Sequence, residues 1–265
     1  MYIGSAMNIN LKFTELRVKL RKNSKVIMGD VVNRHVPNIS LVEKSDREIC
    51  VFCSSPENLT KEHVIPQWAF GKDTKKFFVT DINESEQSYH KTTIPACSDC
   101  NNNLLSNIEK FIIEILDSKD LNRDFFDVNE VHNIIRWIEI IEYKFQILEI
   151  RRKFIKSKSG KFMKVLANVP ISVMRAGINY SPHKAVFEIR QSMKRITTRN
   201  KTTHENSLVV FKSKNENFHF FHQMNDFIFI ELPNYKIAIF YFYCKRFTTN
   251  EQAHDEAKKI IEKFY

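Results

Sequence analysis

The chain has 265 residues and 43% of them are hydrophobic, which is enough for one large core or two small ones and excludes a largely disordered protein. It carries 41 Lys and Arg against 31 Asp and Glu, and this net charge of +10 favours polyanionic partners such as nucleic acid or an acidic membrane surface. No apolar run reaches about 18 residues and the first residues lack a signal-peptide pattern, so we expect a cytoplasmic protein without a membrane segment.

The N-terminal segment, residues 1–46, is basic. Its run LRVKLRKNSKV contains Arg17, Lys19, Arg21, Lys22 and Lys25. These side chains could contact phosphates, or they could solvate a surface strand. The sequence favours neither interpretation over the other.

Four of the five cysteines form two Cys-x-x-Cys pairs, Cys50 with Cys53 and Cys97 with Cys100. In a reducing compartment two such pairs are typical of a structural zinc site with four thiolate ligands. Ordinary buried thiols would have to produce this spacing twice by chance, and a redox Cys-x-x-Cys needs only one pair. The fifth cysteine, Cys244, lies in an apolar run and is predicted to be a small buried hydrophobic residue.

The segment between the pairs contains an acidic residue followed directly by a histidine, in the run KEHVI. This run predicts a short strand that ends at a turn set by Pro66. After the second pair, CNNNLLSNIEKFI has the apolar spacing of a helix and places Asn101 in its first turn. The sequence therefore predicts a strand, an intervening hairpin and a helix that zinc holds together, with Glu62 and His63 on the strand.

This order of Cys-x-x-Cys, acidic residue with His, and Cys-x-x-Cys-Asn resembles the HNH or His-Me finger endonucleases, especially their zinc-containing, endonuclease VII-like branch. The resemblance covers about residues 47–112 and implies a zinc-stabilised ββα module. It makes His63 the general base, and Glu62 and Asn101 the ligands of a catalytic Mg²⁺ or Mn²⁺. It makes Cys50, Cys53, Cys97 and Cys100 the ligands of a structural zinc. Two positions depart from the family pattern: Glu62 stands where Asp is more familiar, and Thr92 stands near the place of the middle Asn.

The chemistry of these residue types agrees with that assignment. Imidazole can deprotonate water near neutral pH, and carboxylate and amide oxygens suit Mg²⁺. Neighbouring strand residues point to opposite faces, so Glu62 and His63 can serve one site only if the strand ends or bends there. Other roles stay open: Glu62 could be a solvated partner of Lys61, His63 an ordinary turn histidine, and Asn101 a helix cap.

The remaining residues, 121–265, give less information about function. Asp127 and Glu130 predict a capping box at the start of a long helix with an apolar stripe. The next segment, residues 151–164, holds seven Lys or Arg and no acid, so Arg151, Arg152 and Lys153 are candidates for contacts with the DNA backbone or for a solvated helix end. The runs KAVFEI, SLVVFK, NFHFFH, DFIFIEL and KIAIFYFYC predict antiparallel strands, and NEQAHDEAKKIIEKF predicts a closing helix.

Together these patterns predict an α+β protein in three segments: a basic segment at 1–46, a zinc-bound nuclease module at 47–120, and an α+β domain with a long helix and an antiparallel sheet at 121–265. We expect a metal-dependent endonuclease that acts on DNA. The alternative is an inactive zinc module that binds nucleic acid or regulates another protein. A further interpretation gives residues 121–265 a protein partner that recruits or restrains the nuclease, as in bacterial phage-defence assemblies.

Overall fold

The structure, a computed structural model, describes residues 2–36, 47–71, 77–80, 85–88, 92–120, 125–152, 169–171 and 182–264. Within these residues the α-helices are α1 (Tyr2–His35), α2 (Ser106–Asp117), α3 (Val128–Arg151), α4 (Pro182–Thr197) and α5 (Asn250–Phe264). The strands are β1 (Leu59–His63), β2 (Phe77–Thr80), β3 (Ser85–Ser88), β4 (Thr93–Cys97), β5 (Leu208–Lys212), β6 (Phe220–Gln223), β7 (Phe227–Leu232) and β8 (Ile237–Phe242). The mixture of helices and antiparallel sheets confirms the α+β class. None of the described helices is both long enough and apolar enough to cross a membrane.

The chain forms two compact units. Unit 1 contains Met1–Ile65, Lys75–Asn107 and Tyr143–Thr197, and unit 2 contains Pro66–Thr74, Ile108–Glu142 and Thr198–Tyr265. Each unit draws on more than one of the three segments predicted from the sequence, and those segments stay predictions.

In unit 1, the basic run of residues 16–26 lies inside helix α1. The run therefore does not form a surface strand, which was one of the two interpretations left open by the sequence. The buried side chains along α1 recur at steps of 3, 4 and 7, which is the period of a helix with one face in a core: Phe13, Leu16, Leu20, Ile27 and Val31. Val18, which a strand would place on the same face as Leu16 and Leu20, is 58% exposed.

Unit 1 also contains the predicted strand and hairpin and the start of the predicted helix. β1 pairs with β4 in an antiparallel ladder that runs from Leu59 opposite Cys97 to His63 opposite Thr93. The β2–β3 hairpin lies between them in sequence. After β4 the chain continues into a π-helical stretch, Asp99–Leu105, which contains Asn101. The strand β1 ends at His63 and is followed by a bend before Pro66, as the sequence predicted.

Helix α4, also in unit 1, contains the run KAVFEI, so the strand predicted there is wrong. Its buried apolar residues recur at steps of 4, 4 and 3, which a helix places on one face: Ala185, Ile189, Met193 and Ile196. A strand would have placed Phe187 beside Ala185 and Ile189, but its side chain is 54% exposed.

Unit 2 is built on a four-stranded antiparallel sheet in the order β5-β8-β7-β6. Its strands and α5 match the runs predicted from the sequence. One face packs against α5, since alternate residues Phe227 and Phe229 of β7 and Phe240 of β8 share a core with Ala253 and Ala257. Cys244 follows the end of β8 and is exposed, so its predicted burial is wrong.

Helix α3 begins with the predicted capping box. The backbone N–H of Asp127 donates to Glu130 Oε2 at 2.7 Å, and the N–H of Glu130 donates to Asp127 Oδ1 at 2.9 Å. From Ile138 to Ile150 every residue of this helix is buried, which includes polar residues as well as the predicted apolar stripe. A helix buried all round must provide partners for its charged side chains, and Lys144 is one of these.

Candidate metal centre

The two cysteine pairs of unit 1 come together in one cluster. The Sγ atoms of Cys50, Cys53, Cys97 and Cys100 all lie within 4.8 Å of one another, and the Sγ atoms of Cys53 and Cys97 are 3.6 Å apart. A tetrahedral zinc with Zn–S bonds of about 2.3 Å separates its sulfurs by about 3.8 Å. All four cysteines are free, with sulfurs too distant for the roughly 2.05 Å bond of a disulfide. The cluster therefore suits a metal such as zinc, as the sequence predicted.

The first pair occupies a tight turn. The N–H of Ser54 donates to the carbonyl of Cys50 at 2.9 Å, and the N–H of Cys50 donates to the carbonyl of Ser55 at 2.8 Å. Ser54 has a left-handed backbone with φ of 60°, which reverses the chain directly after Cys53. The N–H of Phe52 also donates to Cys50 Sγ at 3.4 Å, a bond that stabilises a thiolate ligand.

The second pair joins a strand to a helix. Cys97 is the last residue of β4, and Cys100 lies in the π-helical stretch that follows. The N–H of Cys100 donates to Cys97 Sγ at 3.5 Å. The N–H of Val51, inside the first turn, donates to the carbonyl of Pro95 at 3.1 Å and ties the two pairs together through the backbone.

Tyr143 of α3 supports the first turn from within unit 1. Its hydroxyl donates to the carbonyl of Val51 at 2.6 Å, and its ring meets Phe52 edge to face with ring centroids 5.8 Å apart. Burial raises the pKa of Tyr143 well above its ordinary value, so the hydroxyl stays a neutral donor. This contact could not be predicted from the sequence, since Tyr143 and Val51 are 92 residues apart.

The thiols of the cluster form hydrogen bonds with one another, and these bonds shift their pKa values in opposite directions. Hydrogen bonds from the Cys100 and Cys50 thiols lower the pKa of Cys53 to about 2, and hydrogen bonds with Cys50 and Cys53 raise the pKa of Cys100. Lys19 of α1 lies beside the second cysteine pair, with its Nζ 2.7 Å from Asp99 Oδ2. Burial lowers the pKa of Lys19, but hydrogen bonds to Asp99 and Glu15 outweigh burial and raise it. This ammonium partly offsets the net negative charge of four thiolates around a dication.

Glu62, the candidate ligand of a catalytic cation, is buried and ion-paired. Its Oε1 contacts Nζ of Lys144 from α3, and the two side chains are 8% and 1% exposed. Lys144 Nζ also donates to the backbone carbonyl of His63 at 3.2 Å. Glu62 is therefore not the solvated partner of Lys61 that the sequence allowed, since its carboxylate is held inside unit 1.

Asn101, the second candidate cation ligand, contacts the same strand as Glu62. Its Nδ2 donates to Thr60 Oγ1 at 2.9 Å, and Thr60 in turn donates to the carbonyl of Ala96 at 2.9 Å. Strand alternation places Thr60 and Glu62 on one face of β1 and His63, which is half-buried, on the other. The carbonyl of Thr92 accepts the N–H of Val64 at 3.0 Å just beyond His63, where the strand ends.

The basic residues predicted to contact DNA lie at the end of α3. Arg151 pairs with Glu48, which already neutralises its charge. Arg152 is half-buried, and Lys153 lies outside the described residues. Their role as phosphate contacts stays a prediction.

Removing one partner of the buried Glu62–Lys144 pair should strongly destabilise the chain. Replacing Lys144 with Met leaves a buried carboxylate without its counter-charge, so we expect the free energy of unfolding to fall by roughly 3–5 kcal/mol. Lys144→Met combined with Glu62→Gln should recover much of that loss, because the double variant buries no unpaired charge. Denaturant unfolding of the three variants measures both effects.

The same substitution at an exposed ion pair provides the control. Lys245 pairs with Glu256 at 2.8 Å, with side chains 47% and 38% exposed, so Lys245→Met should change stability by only about 0.2–1 kcal/mol. Equal effects of Lys144→Met and Lys245→Met would show that Glu62 and Lys144 are not paired in the folded protein.

The chain was also compared with known proteins. No protein-family model matches it, and no curated protein and no solved structure matches it either.

Proposed function

We propose that this protein is a metal-dependent endonuclease of the HNH type that hydrolyses phosphodiester bonds in DNA. One observation supports this most directly: Asn101, the residue after the last cysteine of the cluster, donates to Thr60 on the strand that carries Glu62 and His63. The cysteine cluster joins that strand pair to the start of the helix, so the three motif residues lie on two elements that the cluster brings together.

In this proposal His63 acts as the general base. It ends β1, where the chain turns away from the ladder, and its imidazole takes a proton from the attacking water. Lys144 contacts the backbone carbonyl of His63, which restrains the residue from the side of α3. Imidazole is a side chain suited to general-base catalysis near neutral pH.

Glu62 and Asn101 would hold Mg²⁺ or Mn²⁺. The amide nitrogen of Asn101 is engaged with Thr60, so its oxygen Oδ1 is the ligand atom. Lys144 contacts Oε1 of Glu62, and Oε2 is the oxygen that suits a hard cation. When bound, the cation would neutralise charge on the phosphate and on the departing oxygen.

Nicking of supercoiled plasmid tests the proposal. We expect purified protein to convert supercoiled DNA to the open-circular form with Mg²⁺ or Mn²⁺, and to leave it intact when neither cation is added. Plasmid that stays supercoiled with both cations, at protein concentrations that saturate binding, would contradict the nuclease assignment.

The second candidate function is an inactive zinc module that binds nucleic acid, and the Glu62–Lys144 pair favours it. A carboxylate that is already neutralised by a buried ammonium attracts a metal cation less strongly. This function predicts that the protein binds DNA but does not cleave it with either Mg²⁺ or Mn²⁺ present. A protein partner for residues 121–265, a role in phage defence and a cytoplasmic location stay predictions from the sequence.

A further inference from the structure

Helix α1 presents basic side chains on its exposed face. From Leu16 to Gly29 the helix contains five Lys and Arg and no acidic residue. Arg17 contacts Thr14, and Lys19 pairs with Asp99. The remaining three basic side chains are exposed, opposite the buried apolar stripe: Arg21, Lys22 and Lys25.

Helix α4 has a similar exposed face. Its one acidic residue, Glu188, is buried. Arg190 and Lys194, four residues apart, are exposed on the face opposite the buried apolar residues. Phe187, three residues before Arg190, is 54% exposed on that face.

The two helices meet in unit 1. Arg21 Nη2 donates to the carbonyl of Thr197, the last residue of α4, at 2.5 Å. Lys22 and Lys25 lie within about 6 Å of Arg21 along the axis of α1, and Lys194 lies about 4.5 Å before Thr197 along α4, at 1.5 Å of rise per residue. This one hydrogen bond therefore brings together the basic groups of both helices.

We propose that Arg21, Lys22, Lys25, Arg190 and Lys194, which we call the α1–α4 basic surface, bind the phosphate backbone of a nucleic acid. The inference rests on the proposed function for the choice of nucleic acid as the partner. Duplex DNA carries one negative charge per roughly 1.7 Å of its axis, a density that complements basic side chains spaced every few ångströms. No acidic side chain is exposed on either described helix face from residue 16 to 29 or from 183 to 197 to oppose this attraction.

The exposed ring of Phe187 favours nucleic acid over an acidic peptide. An aromatic side chain beside basic groups can stack on an unpaired base, a contact that phosphate neutralisation alone does not use.

The salt dependence of binding tests this surface. In a His63→Ala background, which keeps the substrate intact, Lys22→Gln, Lys25→Gln and Arg190→Gln are combined and binding to a 24-base-pair DNA duplex is measured across salt concentrations. The slope of log K against log salt should become shallower by about 2.7, since each lost phosphate contact contributes about 0.9. Affinity at low salt should fall roughly 10-fold or more.

The matched control removes three exposed lysines from α5, a helix that also carries four acidic residues: Lys258→Gln, Lys259→Gln and Lys263→Gln. This variant loses the same charge but no residue of the α1–α4 basic surface, so its slope should stay within about half a unit of that of the parent. Equal slopes for the two triple variants would overturn the proposal, even if the wild-type protein cleaves DNA.

Binding is also measured to duplex RNA and to single strands of the same sequence, which shows which kind of nucleic acid the surface prefers. Loss of binding by the α1–α4 variant to any of these, with the α5 control unaffected, supports the surface whether or not DNA is cleaved. Binding that is confined to anionic lipid vesicles, with no binding to DNA or RNA, overturns it.

Discussion

Cys97→Ser is expected to abolish tight zinc binding and to unfold unit 1. Cys97 ends β4 and its sulfur lies 3.6 Å from that of Cys53, so it connects the two halves of the cluster. In small metal modules the binding free energy is folding free energy, on the order of 10 kcal/mol for structural zinc. That loss is comparable to the whole stability of a typical domain, which is about 5–15 kcal/mol. Metal analysis should find about one zinc per wild-type chain and none in the variant, with loss of secondary structure by circular dichroism.

Cys244→Ser is the control for this experiment. Cys244 is exposed and lies outside the four-cysteine cluster, so the same substitution there should leave both zinc content and folding unchanged. A Cys97→Ser protein that is zinc-free but as stable as wild type would show that the cluster is only a group of neighbouring thiols.

The metal centre could be predicted from the sequence because its information is local. Two cysteines three residues apart can face one ion from a single turn, whatever the rest of the chain does. The capping box of Asp127 and Glu130 is local in the same sense, and both of its hydrogen bonds are present. The cysteine spacing could not predict the hydrogen bond from Tyr143 to Val51 beside the cluster, since Tyr143 lies on a helix distant in sequence.

The errors in secondary structure arose from short windows. Leu16, Val18 and Leu20 alternate with basic residues over five positions, as in a strand with one solvent-exposed face. Only the longer series from Phe13 to Val31 reveals the helical period, and Val18 is then exposed. In KAVFEI the β-branched and aromatic residues favoured a strand by propensity, but burial of one helical face outweighed this.

The environment of Glu62 could not be predicted because its partner is 82 residues away. The sequence offered a solvated carboxylate beside Lys61 or a ligand of a cation. The structure gives a third environment, a buried pair with Lys144, which arises because α3 is buried all round from Ile138 to Ile150. A lysine within an apolar stripe was the one available signal, since a buried ammonium requires an anionic partner.

His63→Ala should reduce DNA cleavage by roughly 100-fold or more while zinc content, folding and DNA affinity are retained. Loss of a general base commonly costs a factor of about 10²–10⁴ in rate. The side chain of His63 is half-buried at the end of β1, and it is the backbone carbonyl of His63 that contacts Lys144, so the substitution keeps that hydrogen bond. Plasmid nicking rates, metal analysis and DNA binding are measured on the same preparations.

His254→Ala is the matched control, because His254 lies on α5 in unit 2 and its side chain is 46% exposed. It should cleave DNA at the wild-type rate.

Asn101→Ala should behave differently from His63→Ala: its activity should be partly restored by higher Mg²⁺ or by Mn²⁺, because the substitution weakens a set of cation ligands and leaves the base in place. Loss of the hydrogen bond to Thr60 should cost only about 0.5–1.5 kcal/mol in stability, which denaturant unfolding separates from the effect on cleavage. If the His63→Ala protein cleaves DNA at the wild-type rate, His63 is not the general base. That result would not affect the assignment of the zinc site. A wild-type protein that binds DNA but never cleaves it would favour the inactive module, in which Lys144 takes the place of the cation beside Glu62.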